Sequence, residues 1–241
     1  YFFIPRETSQ IQYYSNWPKI TDIFPENVTG IVTARDKFVI DINLNDLRTR
    51  MMQFRNLSLP DEILIKTYGL KDTRGWKLSS ARKKLADDPE WDNYYQKISY
   101  RPFDSRYIYY TPTMVDWGRY ELMPNMLKEN VGLITVRQVA EGKFNHCFIS
   151  DTLVESRVTL SNKGIAYIFP LYLYDQEKPN ELFNQHKEGR ESNLAPQLSK
   201  TINDTYNLIV QPEEILDYIY AILYSNIYRE TYAEFLEYDF P

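Results

Sequence analysis

A stretch of positive charge with aromatic residues set into it is the part of this sequence best suited to binding a ligand. Residues 66–84 carry seven Lys or Arg side chains against one acid, Asp72. Tyr68 and Trp76 stand among them. Closely spaced cations can follow the phosphates of a nucleic-acid backbone, and interleaved aromatic residues are common in such surfaces. The alternative is a solvated face without a ligand, which is the usual role of a charged run.

The motifs of catalytic and cofactor-binding sites are missing. The sequence has no glycine-rich dinucleotide or P-loop motif and no G-x-S-x-G nucleophile elbow. His146 and His186 form no metal-binding pattern, and the single cysteine, Cys147, is expected in the core. Asp61 with residues 141–143 formally resembles a nuclease motif, but so short a pattern is expected by chance. We predict neither catalytic residues nor a metal site in this segment.

The charge of the chain is unevenly distributed. The net charge over 241 residues is −5, yet residues 31–163 sum to +4 and residues 164–241 to −8. A binding partner contacts a local surface, whose charge can differ from the net charge of the chain. The negative net charge therefore does not exclude nucleic acid as a partner. We expect the basic middle to face phosphate and the acidic C-terminal end to face away from it.

Length and composition predict a globular protein with a sizeable core. Hydrophobic residues make up 43% of the chain, and no apolar run approaches the roughly 20 residues of a membrane span. One cysteine excludes an internal disulfide framework and favours a reducing cytoplasm. The chain begins without Met or a signal-peptide pattern, which indicates a segment of a longer protein.

Hydrophobic periodicity predicts an α+β fold, with a mixed or antiparallel β core, flanking helices and a C-terminal helical hairpin. Helices are predicted over 44–54, 60–69, 79–88, 123–130, 212–225 and 227–238. Strands are predicted at 29–42 with a polar turn at 35–37, on both sides of Pro102, and at 131–137, 145–150 and 166–174. Pro170 would put the last of these at an edge or bulge, because proline lacks an amide donor.

The start of the helix at 79–88 suggests an anion. With Ser79 or Ser80 as the N-cap, Arg82 and Lys83 would lie in the first turn. Basic side chains there oppose the helix dipole, and a phosphate would relieve that conflict.

Four stretches of the sequence closely resemble one known family. They are KTYGLKDTRGWKLSSARKKL (66–85), YRPFDSRYIYYT (100–111), FPLYLY (169–174) and the C-terminal PEEILDYIYAILYSNIYRETYAEFLEYDFP (212–241). The family is the C-terminal target-recognition (specificity) domain of type ISP restriction–modification enzymes, with related bacterial adenine methyltransferases and helicase–methylase fusions. TGIVTARDKF (29–38) is similar to the segment that precedes this domain in those proteins.

The resemblance implies a function in the bacterial cytoplasm. Members are large polypeptides with nuclease, helicase, methyltransferase and recognition parts, and the recognition part reads a short asymmetric sequence of double-stranded DNA. Methyl transfer from S-adenosylmethionine to adenine belongs to the preceding methyltransferase domain, and ATP and Mg²⁺ would serve the longer parent protein. The resemblance divides the chain into a linker-like segment at 1–60 and a recognition domain at 61–241, with C-terminal helices at 212–240. This segment would need no cofactor and would supply specificity rather than chemistry.

Candidate DNA contacts follow from residue type. Given the resemblance, the expected contacts to the DNA backbone are Lys71, Arg74, Lys77, Arg82, Lys83 and Lys84, while Trp76 would anchor their loop. Arg and Lys recognise guanine, and Asn and Gln recognise adenine, through pairs of hydrogen bonds. The expected base contacts lie in loops and are Arg137, Gln138, Lys143, Asn145, Arg157, Asn162 and Lys163. Ordinary turn chemistry is the alternative for these loops.

Two acid–base neighbours are expected to be structural. Asp104 stands between Arg101 and Arg106, and Asp36 follows Arg35, so each acid is predicted either to form a local ion pair or to cap a turn with its carboxylate. A different function remains open for the chain as a whole. It would be an inter-domain scaffold whose acidic, tyrosine-rich C-terminal helices dock on another domain. Scattered Trp residues make a carbohydrate-binding module a weaker alternative, as does an enzyme without a recognised motif.

Overall fold

Ten helices and ten strands are distributed over the part of the chain described by the computed structural model, which comprises residues 10–139, 142–160, 164–174, 189–207 and 209–241. The helices in these ranges are α1 (Ile11–Ser15), α2 (Ile20–Ile23), α3 (Asp36–Val39), α4 (Leu44–Arg55), α5 (Asp61–Tyr68), α6 (Leu78–Asp87), α7 (Pro196–Tyr206), α8 (Pro212–Tyr224), α9 (Asn226–Thr231) and α10 (Ala233–Leu236). Short 3-10 helices lie at Trp91–Asn93 and Met123–Leu127.

The strands form two four-stranded sheets and one two-stranded sheet. The strands are β1 (Val28–Thr29), β2 (Ile40–Asp41), β3 (Tyr95–Arg101), β4 (Asp104–Tyr109), β5 (Gly132–Val136), β6 (Phe148–Ser150), β7 (Leu153–Val154), β8 (Ala166–Pro170), β9 (Tyr172–Tyr174) and β10 (Arg190–Ser192). The first sheet has the order β1-β8-β5-β6 and is antiparallel, with Leu133 of β5 opposite Phe169 of β8. The second has the order β2-β4-β3-β7, in which only β3 and β7 run parallel. β9 and β10 pair separately, so the predicted α+β class is confirmed.

The two larger sheets meet where Ile31 runs alongside Glu155. The amide of Ile31 donates to the carbonyl of Val154 at 2.8 Å, and the amide of Ser156 donates to the carbonyl of Ile31 at 2.9 Å. Gly30 is needed at this crossing because a Cβ there would lie 2.6 Å from backbone atoms of Glu155 and Ser156. Residues 153–156 therefore pair with β3 on one side and with residue 31 on the other.

Two hydrophobic clusters fill the interior. In the larger one, Phe38, Leu47, Phe54 and Leu85 from the helical layer pack with Ile98 of β3. In the smaller one, the C-terminal helices cover the first sheet, with the buried side chains Phe24, Leu133, Phe169, Leu216 and Leu236. Residues from Ile20 to Phe54 contribute side chains to both clusters.

Local sequence signals placed several helices correctly. The side chain of Asn43 caps α4 by accepting from the amide of Asn45 at 2.9 Å. Helix α5 begins after Pro60 and ends at Gly69, whose φ of +66° favours glycine. The predicted helix at 212–225 is α8. The predicted helix after it is two short ones, α9 and α10, with the break at Tyr232.

Three predictions about local structure are wrong. Residues 36–39 form α3 rather than a turn between strands, with the acid Asp36 in its first turn, where a negative charge is favourable. Helix α6 begins at Leu78, so Arg82 and Lys83 lie in its second turn and the predicted conflict with the helix dipole disappears. β8 is an interior strand, and Pro170 is tolerated because it is the last residue of β8.

The prediction that Arg82 contacts the DNA backbone is also wrong. Its residue surface is only 3% exposed. The guanidinium donates to the carbonyls of Phe54 at 2.9 Å, Asn56 at 2.5 Å and Leu59 at 2.7 Å, and it pairs with the carboxylate of Asp61. Arg82 thus satisfies carbonyls at the C-terminal end of α4 and in the loop that follows, where a cation is favourable.

Replacing Arg82 tests this structural role. We expect Arg82→Ala to lower the free energy of unfolding by about 3 kcal/mol, because three carbonyls and a carboxylate lose their donor. Urea denaturation followed by circular dichroism measures the change. The matched control is Lys83→Ala, on the exposed face of the same helix, which should change stability by no more than about 0.5 kcal/mol. Equal effects of the two substitutions would contradict the assignment.

Candidate nucleic-acid interface

The basic run forms an exposed surface between α5 and α6. Among the predicted contacts to the DNA backbone, the exposed side chains are Lys71, Arg74, Lys77, Lys83 and Lys84. Lys77 also pairs with Asp72 at 3.3 Å. Five of the six predicted cations are therefore available to an anion, and Arg82 is not.

Trp76 holds the loop that carries Lys71, Arg74 and Lys77, as the sequence predicts. Its indole Nε1 donates to the carbonyl of Thr113 at 2.9 Å, and its ring is buried. The guanidinium of Arg35 lies 4.2 Å from the ring centroid on one face. At the end of the loop, the amide of Leu78 donates to Asp72 at 3.0 Å. The loop is therefore fixed at its tryptophan and at the start of α6.

A cleft of about 340 Å³ opens beside this loop. Its lining includes the cations Lys71, Lys37 and Arg35, together with Tyr68 and Asp36. Lys37 is exposed, and the sequence offered no signal for it beyond its place in a polar turn. The cleft therefore adds a lysine of α3 to the basic surface of the α5–α6 loop.

Of the two arrangements predicted for Asp36, the local ion pair with Arg35 is not the one formed. The guanidinium of Arg35 donates instead to Asp116 at 2.5 Å and to the carbonyl of Met114 at 2.6 Å. Asp36 accepts from Thr33 and from the hydroxyl of Tyr100 at 3.2 Å. Asp36 therefore connects the cleft to the β3–β4 hairpin.

Tyr100 lies at the centre of a stack of cations on that hairpin. The guanidinium carbons of Arg101 and Arg106 lie 3.9 Å and 4.1 Å from its ring centroid. Arg106 also donates to both oxygens of Asp104, at 2.7–3.1 Å, as predicted for this local pair. These hydrogen bonds hold the pKa of Asp104 below its usual value. Arg101 pairs elsewhere, with Glu155 at 2.5 Å.

Glu155 is a buried carboxylate at the junction of the two sheets. Its side chain is 5% exposed and accepts from Arg101, from the amide of Arg157 at 2.7 Å and from the hydroxyl of Ser156 at 3.1 Å. Burial raises the pKa of this carboxyl, while the amide of Arg157 and the charge of Arg101 oppose the rise. The backbone amide of Arg157, a predicted base contact with an exposed side chain, thus shares this carboxylate with Arg101 of the hairpin.

Phe103 forms the tip of the hairpin. Its side chain is fully exposed, and its φ of +60° is unusual for a residue other than glycine. A left-handed conformation costs such a residue about 1–2 kcal/mol. The sequence predicts only that this stretch is structural, because nothing in YRPFDSRY identifies the residue at the tip.

The other predicted base contacts in the described ranges lie against the C-terminal tail. Arg137 pairs with Asp239 at 3.2 Å, and the side chain of Gln138 donates to the carbonyl of Tyr238 at 3.2 Å. Asn145 accepts from Arg229 at 3.3 Å, and Lys143 is exposed beside a second cleft of about 300 Å³. These four side chains therefore contact different elements from Arg157. Asn162 and Lys163 lie outside the described residues.

Cys147 and His146 are two neighbouring titratable groups whose pKa values are shifted by burial. Burial raises the pKa of the Cys147 thiol to about 12 and lowers the pKa of His146. Among the residues that the structure describes, no group of three His, Cys, Asp or Glu side chains could hold a metal ion. No helix in the same ranges has the length and apolar character required to cross a membrane.

Comparison with solved structures identifies the fold. A cryo-EM structure of a DrdV–DNA complex shares 22% identity and a TM-score of 0.66, over 91% of this chain and 21% of that one. The ATP-dependent type ISP restriction-modification enzyme LlaBIII, bound to DNA, shares 21% identity and a TM-score of 0.66, over 91% of this chain and 14% of that one. A nuclease-deletion mutant of the type ISP enzyme LlaGI, in complex with a DNA substrate mimic, shares 22% identity and a TM-score of 0.59. The match covers 95% of this chain and 18% of that one. The chain thus spans about a fifth or less of each of these proteins.

Comparison by sequence identifies the family. No curated protein matches the chain significantly. A family model described as the type ISP C-terminal specificity domain matches residues 22–241. This match extends from α2 to the last residue and includes the cleft, the β3–β4 hairpin and the C-terminal helices, so the chain belongs to the type ISP C-terminal specificity domain family.

Proposed function

We propose that the chain reads a double-stranded DNA sequence through the surface formed by the basic cleft, the β3–β4 hairpin and Arg157. A specificity domain of a restriction–modification enzyme has a role in target recognition. The three solved structures compared above contain DNA or a DNA substrate mimic, which supports duplex DNA as the ligand. In the parent protein the chain would position the target for methylation by a methyltransferase domain of the same polypeptide.

The observation that carries this proposal is a continuous series of contacts from the cleft to Arg157. Asp36 lines the cleft and accepts from Tyr100, and Tyr100 stacks on Arg101. Arg101 shares the carboxylate of Glu155 with the backbone of Arg157. Lysines suited to phosphate and an arginine suited to a guanine edge therefore belong to one supported surface.

Two kinds of DNA contact are assigned to this surface. The contacts to the backbone are Lys37, Lys71, Arg74, Lys77, Lys83 and Lys84, all exposed. Arg157 is the leading candidate for base contact, because its backbone is fixed by a buried carboxylate and its side chain is exposed. Base contact by Arg137, Gln138, Lys143, Asn145, Asn162 and Lys163 remains a prediction. For Arg137, a base would have to compete with Asp239.

The catalytic chemistry is assigned to the rest of the parent protein. S-adenosylmethionine would bind in the methyltransferase domain, and ATP and Mg²⁺ would serve any helicase or nuclease parts. The parent would act in the bacterial cytoplasm, where its DNA substrate is present. Within this chain we assign residues to recognition alone.

An inter-domain scaffold is the second candidate function, and the C-terminal helices favour it. Tyr218 and Tyr224 of α8 and Ile227 of α9 expose more than half of their surface. Such side chains could pack against another domain of the same enzyme. If scaffolding were the only function, substitutions in the cleft would leave DNA binding by the parent protein unchanged.

Salt dependence tests the contacts to the backbone. We expect Lys37→Ala and Lys71→Ala each to weaken binding to every duplex alike, and to reduce the slope of log K against log salt by about 0.9, because each loses one phosphate contact. Fluorescence anisotropy with labelled duplexes between 50 and 200 mM salt, about the range over which such binding changes steeply, measures both quantities. Lys200→Ala, in α7, is the control and should keep the slope of the unaltered chain. Unchanged slopes in both cleft variants would refute the assignment.

Sequence selection tests base contact by Arg157. Arg157→Ala should lower discrimination at one base-pair position by about 1–3 kcal/mol, because a bidentate contact to guanine is lost. Selection from a randomised duplex library, followed by sequencing, gives the preference at each position. Arg74→Ala is the matched control and should weaken binding without changing the selected sequence. A selected sequence that is the same for Arg157→Ala and the unaltered chain would remove Arg157 from the recognition surface.

A further inference from the structure

The tip of the β3–β4 hairpin presents an aromatic ring to solvent. Phe103 is the most exposed large hydrophobic side chain among the described residues. It lies between Pro102 and Asp104 in a turn with a positive φ, which a bulky side chain rarely adopts. An apolar ring held outward in a strained turn is typical of a contact surface rather than of folding alone.

Neighbouring groups hold the turn in this conformation from both sides. Before the tip, Arg101 pairs with the buried Glu155 and stacks on Tyr100. After the tip, Asp104 receives two hydrogen bonds from the Nε of Arg106 and one from its Nη2. The ring of Phe103 also lies edge-on to Phe148, with 6.4 Å between centroids. The ring is therefore presented in a defined position before any ligand binds.

We propose that Phe103 inserts at a base step of the DNA bound by this domain and partly unstacks it. This inference rests on the proposed function. Proteins that deform duplexes insert single apolar side chains between bases, and stacking of an aromatic ring on a base tolerates different sequences. Phe103 would therefore fix the position of the DNA along the hairpin, while Arg157 reads a base edge.

The surroundings of the ring favour DNA over a protein partner. The residues next to the tip in sequence are Pro102, Asp104 and Ser105, and the guanidinium groups of Arg101 and Arg106 lie behind it on Tyr100. A stable protein contact usually has a broad apolar centre, whereas the aromatic contact described for this ring is the half-buried Phe148 alone. A single projecting ring without a broad apolar surround suits insertion at a base step.

Two substitutions distinguish the effect of the Phe103 ring on DNA binding from the effect of the strained backbone. Phe103→Ala removes the ring and keeps an L-residue at positive φ, whereas Phe103→Gly removes the ring and also relieves the strain. We expect both variants of the full chain to bind duplex DNA about tenfold more weakly or worse, with an unchanged salt slope, because no charge is lost. Phe103→Trp should restore most of the affinity. Fluorescence anisotropy measures these constants, with Lys200→Ala as the control.

Insertion has its own spectroscopic signature. Duplexes of the selected sequence with 2-aminopurine at successive adenines should show increased fluorescence at one position on binding the unaltered chain, and neither Phe103→Ala nor Phe103→Gly should produce that increase.

Equal affinity and equal fluorescence for the unaltered chain and both variants would overturn the inference, leave the proposed function intact and assign the ring to a protein partner. An affinity loss without any fluorescence increase in the unaltered chain would overturn insertion. A chain that binds no duplex at low salt would overturn both this inference and the proposed function.

Discussion

The position of the candidate surface depends on one buried carboxylate at the junction of the two sheets. Glu155 is almost inaccessible, and an isolated charge there would be strongly unfavourable. Arg101, Ser156 and the amide of Arg157 supply its hydrogen bonds. Because residues 153–156 also pair with β3 and with residue 31, this carboxylate links the joined sheets to the hairpin. Gly30 permits the arrangement, since any side chain there would separate the strands.

The charges of the domain are arranged so that an acidic chain can present a basic surface. Asp239, in the acidic C-terminal tail, pairs with Lys19 at 2.6 Å and with Arg137 at 3.2 Å. The acidic tail thus neutralises the positive charges of Lys19 and Arg137, which lie next to it. In the cleft, Lys37 and Lys71 are exposed beside Arg35, whose charge is shared with Asp116. A net charge of −5 therefore does not describe the potential that a ligand of the cleft would meet.

The sequence predicted features that are determined within a few residues of the chain. The cap at Asn43, the end of α5 at Gly69 and the pair between Asp104 and Arg106 each depend on near neighbours. Features determined by distant partners were missed. Arg82 is buried because carbonyls more than 20 residues away require a donor. Arg35 pairs with Asp116 for the same kind of reason, and no local pattern reveals either pairing.

In the candidate site, too, the sequence predicts the types of residue involved but not where the fold places them. Exposed cations in the basic run were recognisable from composition, as was the anchoring role of Trp76. The contribution of Lys37 to the cleft and the exposure of Phe103 at the tip of a turn are seen only in the folded chain. Periodicity describes which face of an element is buried, but it contains no information about which loops meet.

The buried Arg82 and Trp76 hold the elements that carry the candidate interface. Arg82 attaches α6 to the end of α4, and Trp76 attaches the preceding loop to the carbonyl of Thr113. The loop that carries Lys71 and Arg74 is thereby fixed in the free protein. A flexible lysine-rich loop would lose conformational entropy on binding, whereas a loop ordered in advance avoids part of that cost. If the exposed cations contact DNA as proposed, burying Arg82 would make their binding more favourable, because the buried arginine holds in advance the surface on which they lie.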